Sequence, residues 1–135
     1  MRNAIISTAV SCLVASAAFA AVDASAATPT IRVQCEQRGV QRAKISVDGD
    51  NLSPIAGQYR AQVVLVSGLG SATSAGAPLV GDEVEFDFDS NAGDIAAGAT
   101  AIPKNFIDGN VTGKILAPNG ATVISDTVAC RIRSR

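Results

Sequence analysis

The chain has 135 residues, 47% of them hydrophobic and 4% aromatic, with 11 Lys and Arg against 12 Asp and Glu. That length fits one domain, or two at most. The near-balance leaves no basic excess to neutralise a phosphate backbone, so nucleic acid is not an expected partner, and the absence of histidine removes every imidazole mechanism.

The first element is a leader. Met1-Arg2-Asn3 is a short positive start, and no charge follows until Asp23. Ile5, Ile6, Val10, Leu13 and Val14 make an apolar centre, and Ala18-Phe19-Ala20 places small residues where a signal peptidase reads. This order predicts a secretory signal over 1–20, cleaved after Ala20, with an alternative cleavage after Ala26 at the end of Ala24-Ser25-Ala26. The competing readings are a membrane anchor, diluted by Ser7, Thr8, Ser11 and Ser16, and a lipid-bearing Cys12, which lacks an aliphatic lipobox. Cleavage leaves a single domain over 27–135, expected to be secreted or periplasmic and to have no membrane span. Losing Arg2 leaves ten basic and twelve acidic residues, a net charge of −2. It also leaves two cysteines, Cys35 and Cys130, expected to form one disulfide in an oxidising compartment.

The mature chain then reads as strands. Ile31, Val33 and Cys35 alternate with Arg32, Gln34 and Glu36, and Ala43, Ile45 and Val47 alternate with Arg42, Lys44, Ser46 and Asp48. Asp48-Gly49-Asp50-Asn51 and Ser53-Pro54 are turn chemistry. Tyr59–Val66 carries apolar residues on both faces at its end, as a central strand does, and Ser67–Pro78 is expected to be a flexible loop. Within Leu79–Asp89, Val84, Phe86 and Phe88 face in while Glu83, Glu85, Asp87 and Asp89 face out. Asp94–Ala97 reads as a helical turn capped by Asp94 and stopped at Gly98. Ala101–Ile107 is a weak strand with Pro103 marking an edge. Val111–Leu116 and Ala121–Arg133 flank Asn119-Gly120, a hairpin signal. Val128, Cys130 and Ile132 share one face of the last strand, and a bulge near Ser125 would turn Asp126 outward.

These seven strand candidates and the lack of a long helix predict an all-β fold, an antiparallel immunoglobulin-like β-sandwich. A small closed β-barrel is the alternative. Asn51-Leu52-Ser53-Pro54 leading into Gly57-Gln58-Tyr59-Arg60-Ala61-Gln62-Val63 resembles the turn-to-strand transition of bacterial immunoglobulin-like modules, which implies the same sandwich. Pilus subunits share that sandwich but lack a final strand. Here a full C-terminal strand tied by the expected bridge departs from donor-strand assembly. Ser67-Gly68 and chain ends joined by a disulfide are similar to periplasmic lysozyme inhibitors, without the aromatic residues of that family.

Three surfaces offer chemistry. Glu83, Glu85, Asp87 and Asp89 form a row about 7 Å apart along one face. They are expected either to meet cations such as Arg60, Lys114, Arg131 or Arg133 across the sheet, or to hold an ion. Asp87, Asp89, Asn91 and Asp94 offer alternating oxygen ligands for calcium, and the run departs from the EF-hand pattern: Ala92 stands at the glycine position and Gly98 where the bidentate Glu belongs. Asp48, Asp50 and Asn51 are further candidate ligands at a sandwich edge. Glu83 and Glu85, with Arg131 and Arg133 near the C-terminus, are the candidate interaction surface. Catalysis has little to build on, because no serine sits in a nucleophile elbow and only Lys44, Lys104 and Lys114 could serve as an amine base. Asn51 and Asn110 head glycosylation sequons. The expected function is a non-catalytic binding or structural module with a protein or envelope partner and no cofactor. Its alternatives are a calcium-stabilised envelope or adhesion module and a periplasmic inhibitor of a secreted hydrolase.

Overall fold

The computed structural model describes residues 27–134, so the expected leader and the expected cleavage sites lie outside the described residues. Nine strands and one short helix follow in order: β1 (Thr30–Arg38), β2 (Arg42–Asp50), β3 (Arg60–Leu65), β4 (Ser71–Thr73), β5 (Val84–Asp89), α1 (Ala92–Ala96), β6 (Thr100–Ala101), β7 (Val111–Leu116), β8 (Thr122–Val128) and β9 (Arg131–Arg133). They form two open sheets, β6-β5-β2-β1-β9 and β4-β3-β7-β8. The fold is therefore an all-β sandwich and not a closed barrel. Strands one, two and five in one sheet and three, seven and eight in the other give the Greek-key order of an immunoglobulin-like domain.

Alternation explains the layers. In β2 every second residue is buried, and β3 and β7 behave alike, because each of these strands turns one face toward the other sheet. Ile45, Val47, Phe86 and Phe88 pack from one side against Tyr59, Val63, Val111 and Ile115 from the other. Burying one such side chain contributes roughly 1.5–3 kcal/mol. Gly113 lets the sheets approach closely, since a Cβ there would lie 2.6 Å from Val33 Cγ2 and 3.2 Å from Val47 Cγ2. At one end Tyr59 donates its hydroxyl proton to the Ser53 carbonyl at 2.6 Å, which pins the β2–β3 loop. Leu52 closes the same end.

The structure corrects several sequence expectations. Ser67–Pro78 is not wholly loop, because Ser71–Thr73 returns to pair with β3. That pairing, with β7 on the other side, makes β3 the central strand its apolar run suggested. Leu79–Asp89 becomes a strand only from Val84, after a tight turn closed by Val80 and Glu83. Of Ala101–Ile107 only Ala101 is strand, as the end of Thr100–Ala101; beyond Pro103 the chain drops Phe106 into the core from a loop. The helix begins at Ala92 rather than Asp94, because the cap is Asn91 and not Asp94: the Asn91 side-chain oxygen accepts from the Gly93 and Asp94 amides at 2.9 and 3.2 Å.

The C-terminal run also differs. It is not one strand but two, in different sheets, broken at Ala129-Cys130 where the chain crosses the side of the sandwich. Cys130 there bonds to Cys35 of β1, with Cα atoms 4.6 Å apart. The β7–β8 register shifts between Ile115/Ile124 and Leu116/Thr122, so Val123 is the bulged residue rather than Ser125. Asp126 consequently keeps the inward-facing parity of its partner Gly113, and it is exposed because β8 is an edge strand. Ile132 does not join the core. It pairs with Gln37 at the sheet rim and stays 78% exposed.

Candidate functional site

The outer face of the five-stranded sheet collects most of the charged side chains. Pairing fixes them in rows, with neighbouring strands roughly 4.8 Å apart. The uppermost row reads Arg42, Arg38, Arg133 across β2, β1 and β9. The next reads Asp89, Lys44, Glu36, Arg131 from β5 to β9. Below them lie Asp87, Ser46 and Gln34, then Glu85, Asp48 and Arg32. The face is thus basic at the β1–β9 corner and acidic along β5 and lower β2.

At the acidic side the three outward residues of β5, Glu85, Asp87 and Asp89, do not behave alike. Asp89 is fully buried although its parity is outward, because Arg42 and the α1 segment cover it. Arg42 donates to it from Nε at 3.0 Å and Nη2 at 2.6 Å, and the Asn91 amide donates at 2.9 Å. Burial pushes the Asp89 carboxyl up, but those hydrogen bonds and the charges of Arg42 and Lys44 outweigh it and hold it below the usual carboxylate range. Its hydrogen bond in turn raises Arg42. Arg42 also reaches Asp94 at 2.8 Å. Asp87 accepts from the Ser46 hydroxyl at 2.6 Å, with Lys44 Nζ 4.0 Å away. The cations opposing β5 therefore come from β2, while Arg60 and Lys114 lie in the other sheet.

This bears on the calcium ligands. Arg42 stands between Asp89 and Asp94, and the Asn91 oxygen is turned into the helix cap. Asp87 is engaged by Ser46. Among the described residues no three acidic or cysteine side chains group as metal ligands. Asp48 sits deeper in the acidic half, where one carboxylate oxygen is buried without a partner. Burial first, then the charges of Glu85 and Asp87, push its carboxyl up.

At the basic corner one carboxylate lies among three arginines and pairs with two of them. Glu36 accepts a hydrogen bond from Arg38, lies 3.6 Å from Arg133 and is paired in register with Arg131. Arg38 chiefly, with Arg133 and Arg131 adding to it, holds the Glu36 carboxyl low against the opposing effect of burial. Arg42 is neutralised by Asp89 and Asp94, which leaves Arg38, Arg131 and Arg133 two positive charges in excess. Like charges on paired strands repel. Beside them a groove of about 500 Å³ opens between β1 and the β8–β9 crossover, with Val33, Cys35 and Val128 in its lining.

The sequence-predicted Arg131 and Arg133 are thus brought to one site, but Glu83 and Glu85 are not part of it. Glu85 is on β5, two strands away from β9's neighbour β1 only through β2, and Glu83 is in the preceding turn. Sequence reading missed Arg38, Arg42 and Glu36. The available signal was the short Gly39–Gln41 link, which places residue 38 opposite residue 42 and their outward neighbours in register. No family model, curated protein or solved structure matches the chain.

Proposed function

We propose that the chain is a small exported, non-catalytic binding module that holds an acidic partner on the β1–β9 corner. The observation that carries this reading is the set of three arginines gathered at Glu36: Arg38 and Arg133 pair with its carboxylate, and Arg131 lies opposite it in register. A chain of net charge −1, or −2 once the expected leader is removed, keeps this repulsive cluster on a solvent-facing surface. Departures from local stability rules concentrate where a protein binds something. Export is supported by the Cys35–Cys130 bond and by the order of the leader. Among the described residues no helix is long and apolar enough to cross a membrane.

Retention on immobilised poly-glutamate tests the reading. The oxidised protein is expected to be retained at about 50 mM salt and released by about 200 mM, as surface electrostatics are screened. A double variant, Arg131→Gln with Arg133→Gln, is expected to flow through. Equal retention of both proteins, or none by either, would remove the proposal.

A further inference from the structure

The edges of the sandwich are protected unequally. An open edge offers unpaired N–H and C=O groups to any extended chain, and folds blunt such edges with short strands, bulges or charge. β4, β6 and β9 are two or three residues long. β8 is longer, but it carries the Val123 bulge and the inward-side Asp126. The part of β5 not covered by β6 bears Glu85 and Asp87. β1 differs. β9 covers only Glu36–Arg38, and among the described residues no strand pairs with that side of Thr30–Cys35. This stretch carries one charge, Arg32, and every second residue directs both main-chain groups to the open side.

The groove meets this edge at Val33–Cys35 and spreads over the outer face beside it. Val33 and Cys35 of β1 with Val128 of β8 give it an apolar side, Glu36, Lys44 and Ser46 line it on the outer face, and Arg38 and Arg131 border it, so that Glu36 is the one acidic group set among its cations. We propose that β1 accepts an extended acidic peptide as an added strand beneath β9, over Thr30–Gln34, up to the point where Cys130 stands 4.6 Å, Cα to Cα, from Cys35. This mode of binding rests on the arginine corner being the contact surface, and it names the partner class. The segment carries carboxylates at alternating positions with small aliphatic residues between them. Period two puts every carboxylate on the outer face, near Arg32 and Arg131, and turns the aliphatic residues toward Val33, Cys35 and Val128. In strand addition the main-chain bonds supply affinity and the alternate side chains supply selectivity.

The probe is a fluorescent seven-residue peptide of alternating Glu and Val, added to the oxidised full chain at low salt. Binding is read by anisotropy, and amide hydrogen exchange is followed residue by residue. The peptide is expected to bind and to slow exchange within Thr30–Gln34 at least fivefold. Versions N-methylated at alternate amides, in both registers, keep the charge and lose the main-chain bonds; at least one is expected to bind tenfold more weakly. Retention on poly-glutamate with unchanged exchange at Thr30–Gln34, or equal binding of all the peptides, would overturn strand addition and leave the arginine surface standing. Failure of both poly-glutamate and the peptide would remove the two together. Slowing of the same amides with rising protein concentration alone would make a second copy the occupant and overturn the peptide proposal.

Discussion

Replacing Asp89 by Asn tests whether the Arg42–Asp89 pair fastens α1 and the upper sheet. Asp89 is fully buried and accepts three hydrogen bonds, two from Arg42 and one from the Asn91 amide. Removing one partner of a buried ion pair costs about 3–5 kcal/mol. Here the surviving cation is cushioned, because the Arg42 side chain is 24% exposed and keeps Asp94 at 2.8 Å. The expected loss for Asp89→Asn is therefore about 2–3 kcal/mol, below the full range for a buried pair. For a domain near 100 residues that lowers Tm by about 10 °C. Arg42→Met is the harsher change, since it strands a carboxylate with only the Asn91 amide, and it should cost about 3–5 kcal/mol. The pH dependence has a definite sign. A carboxyl held low in the fold stabilises above its unfolded value of about 3.9 and loses that contribution as pH falls through the lower folded value. The gap between wild type and Asp89→Asn should thus close below about pH 4. Urea unfolding of both variants and the double mutant, at pH 7 and pH 3, measures this directly. A loss under about 0.5 kcal/mol for Asp89→Asn, within the range of ordinary surface substitutions, or a smaller cost for Arg42→Met than for Asp89→Asn, would refute the reasoning.

Removing the disulfide with Cys35→Ala and Cys130→Ala opens a bridge spanning 95 residues, which by loop-closure entropy costs about 4.7 kcal/mol; thermal unfolding should fall by about 20 °C. Gly113→Ala drives a methyl to within 2.6 Å of Val33 and should cost about 1–3 kcal/mol by denaturant titration, with no change in secondary structure by circular dichroism. Asp48→Asn should stabilise at pH 7 by about 0.2–1 kcal/mol, the size of one cross-strand charge term. Because burial and its acidic neighbours push the Asp48 carboxyl up, its ionised form is penalised only above the unfolded value, so the gain should vanish below about pH 4 in the same titration.

The layers were legible because period two leaves little freedom. Once Ile45 and Val47 point inward, Lys44, Ser46 and Asp48 must point out. The disulfide followed from Cys35 and Cys130 being the two cysteines outside the expected leader. What parity does not carry is cover from a distant segment. Asp89 has the outward phase of Glu85 and Asp87, yet α1 and Arg42 close over it. Nor does alternation say where a strand changes sheet. Val128, Cys130 and Ile132 keep one phase in the sequence, but the crossover at Ala129-Cys130 sends Ile132 to the rim. The arginine corner was half visible for the same reason. Arg131 and Arg133 stand out as a local run, while Arg38, Arg42 and Glu36 join them only through the pairing of β1 with β2 and β9.

The Cys35–Cys130 bond also decides how the domain would carry mechanical load. Tension entering before β1 and leaving after β9 passes across the sulfur bridge, so the 95-residue interval between the cysteines is shielded from it. Only the described residues outside the bridge, 27–34 and 131–134, can peel away. At about 3.5 Å per extended residue that yields roughly 40 Å, against more than about 300 Å for an unbridged chain of this length. Pulled from its two ends, the oxidised domain is a short, nearly inextensible link, and reduction alone would turn it into a long, compliant one.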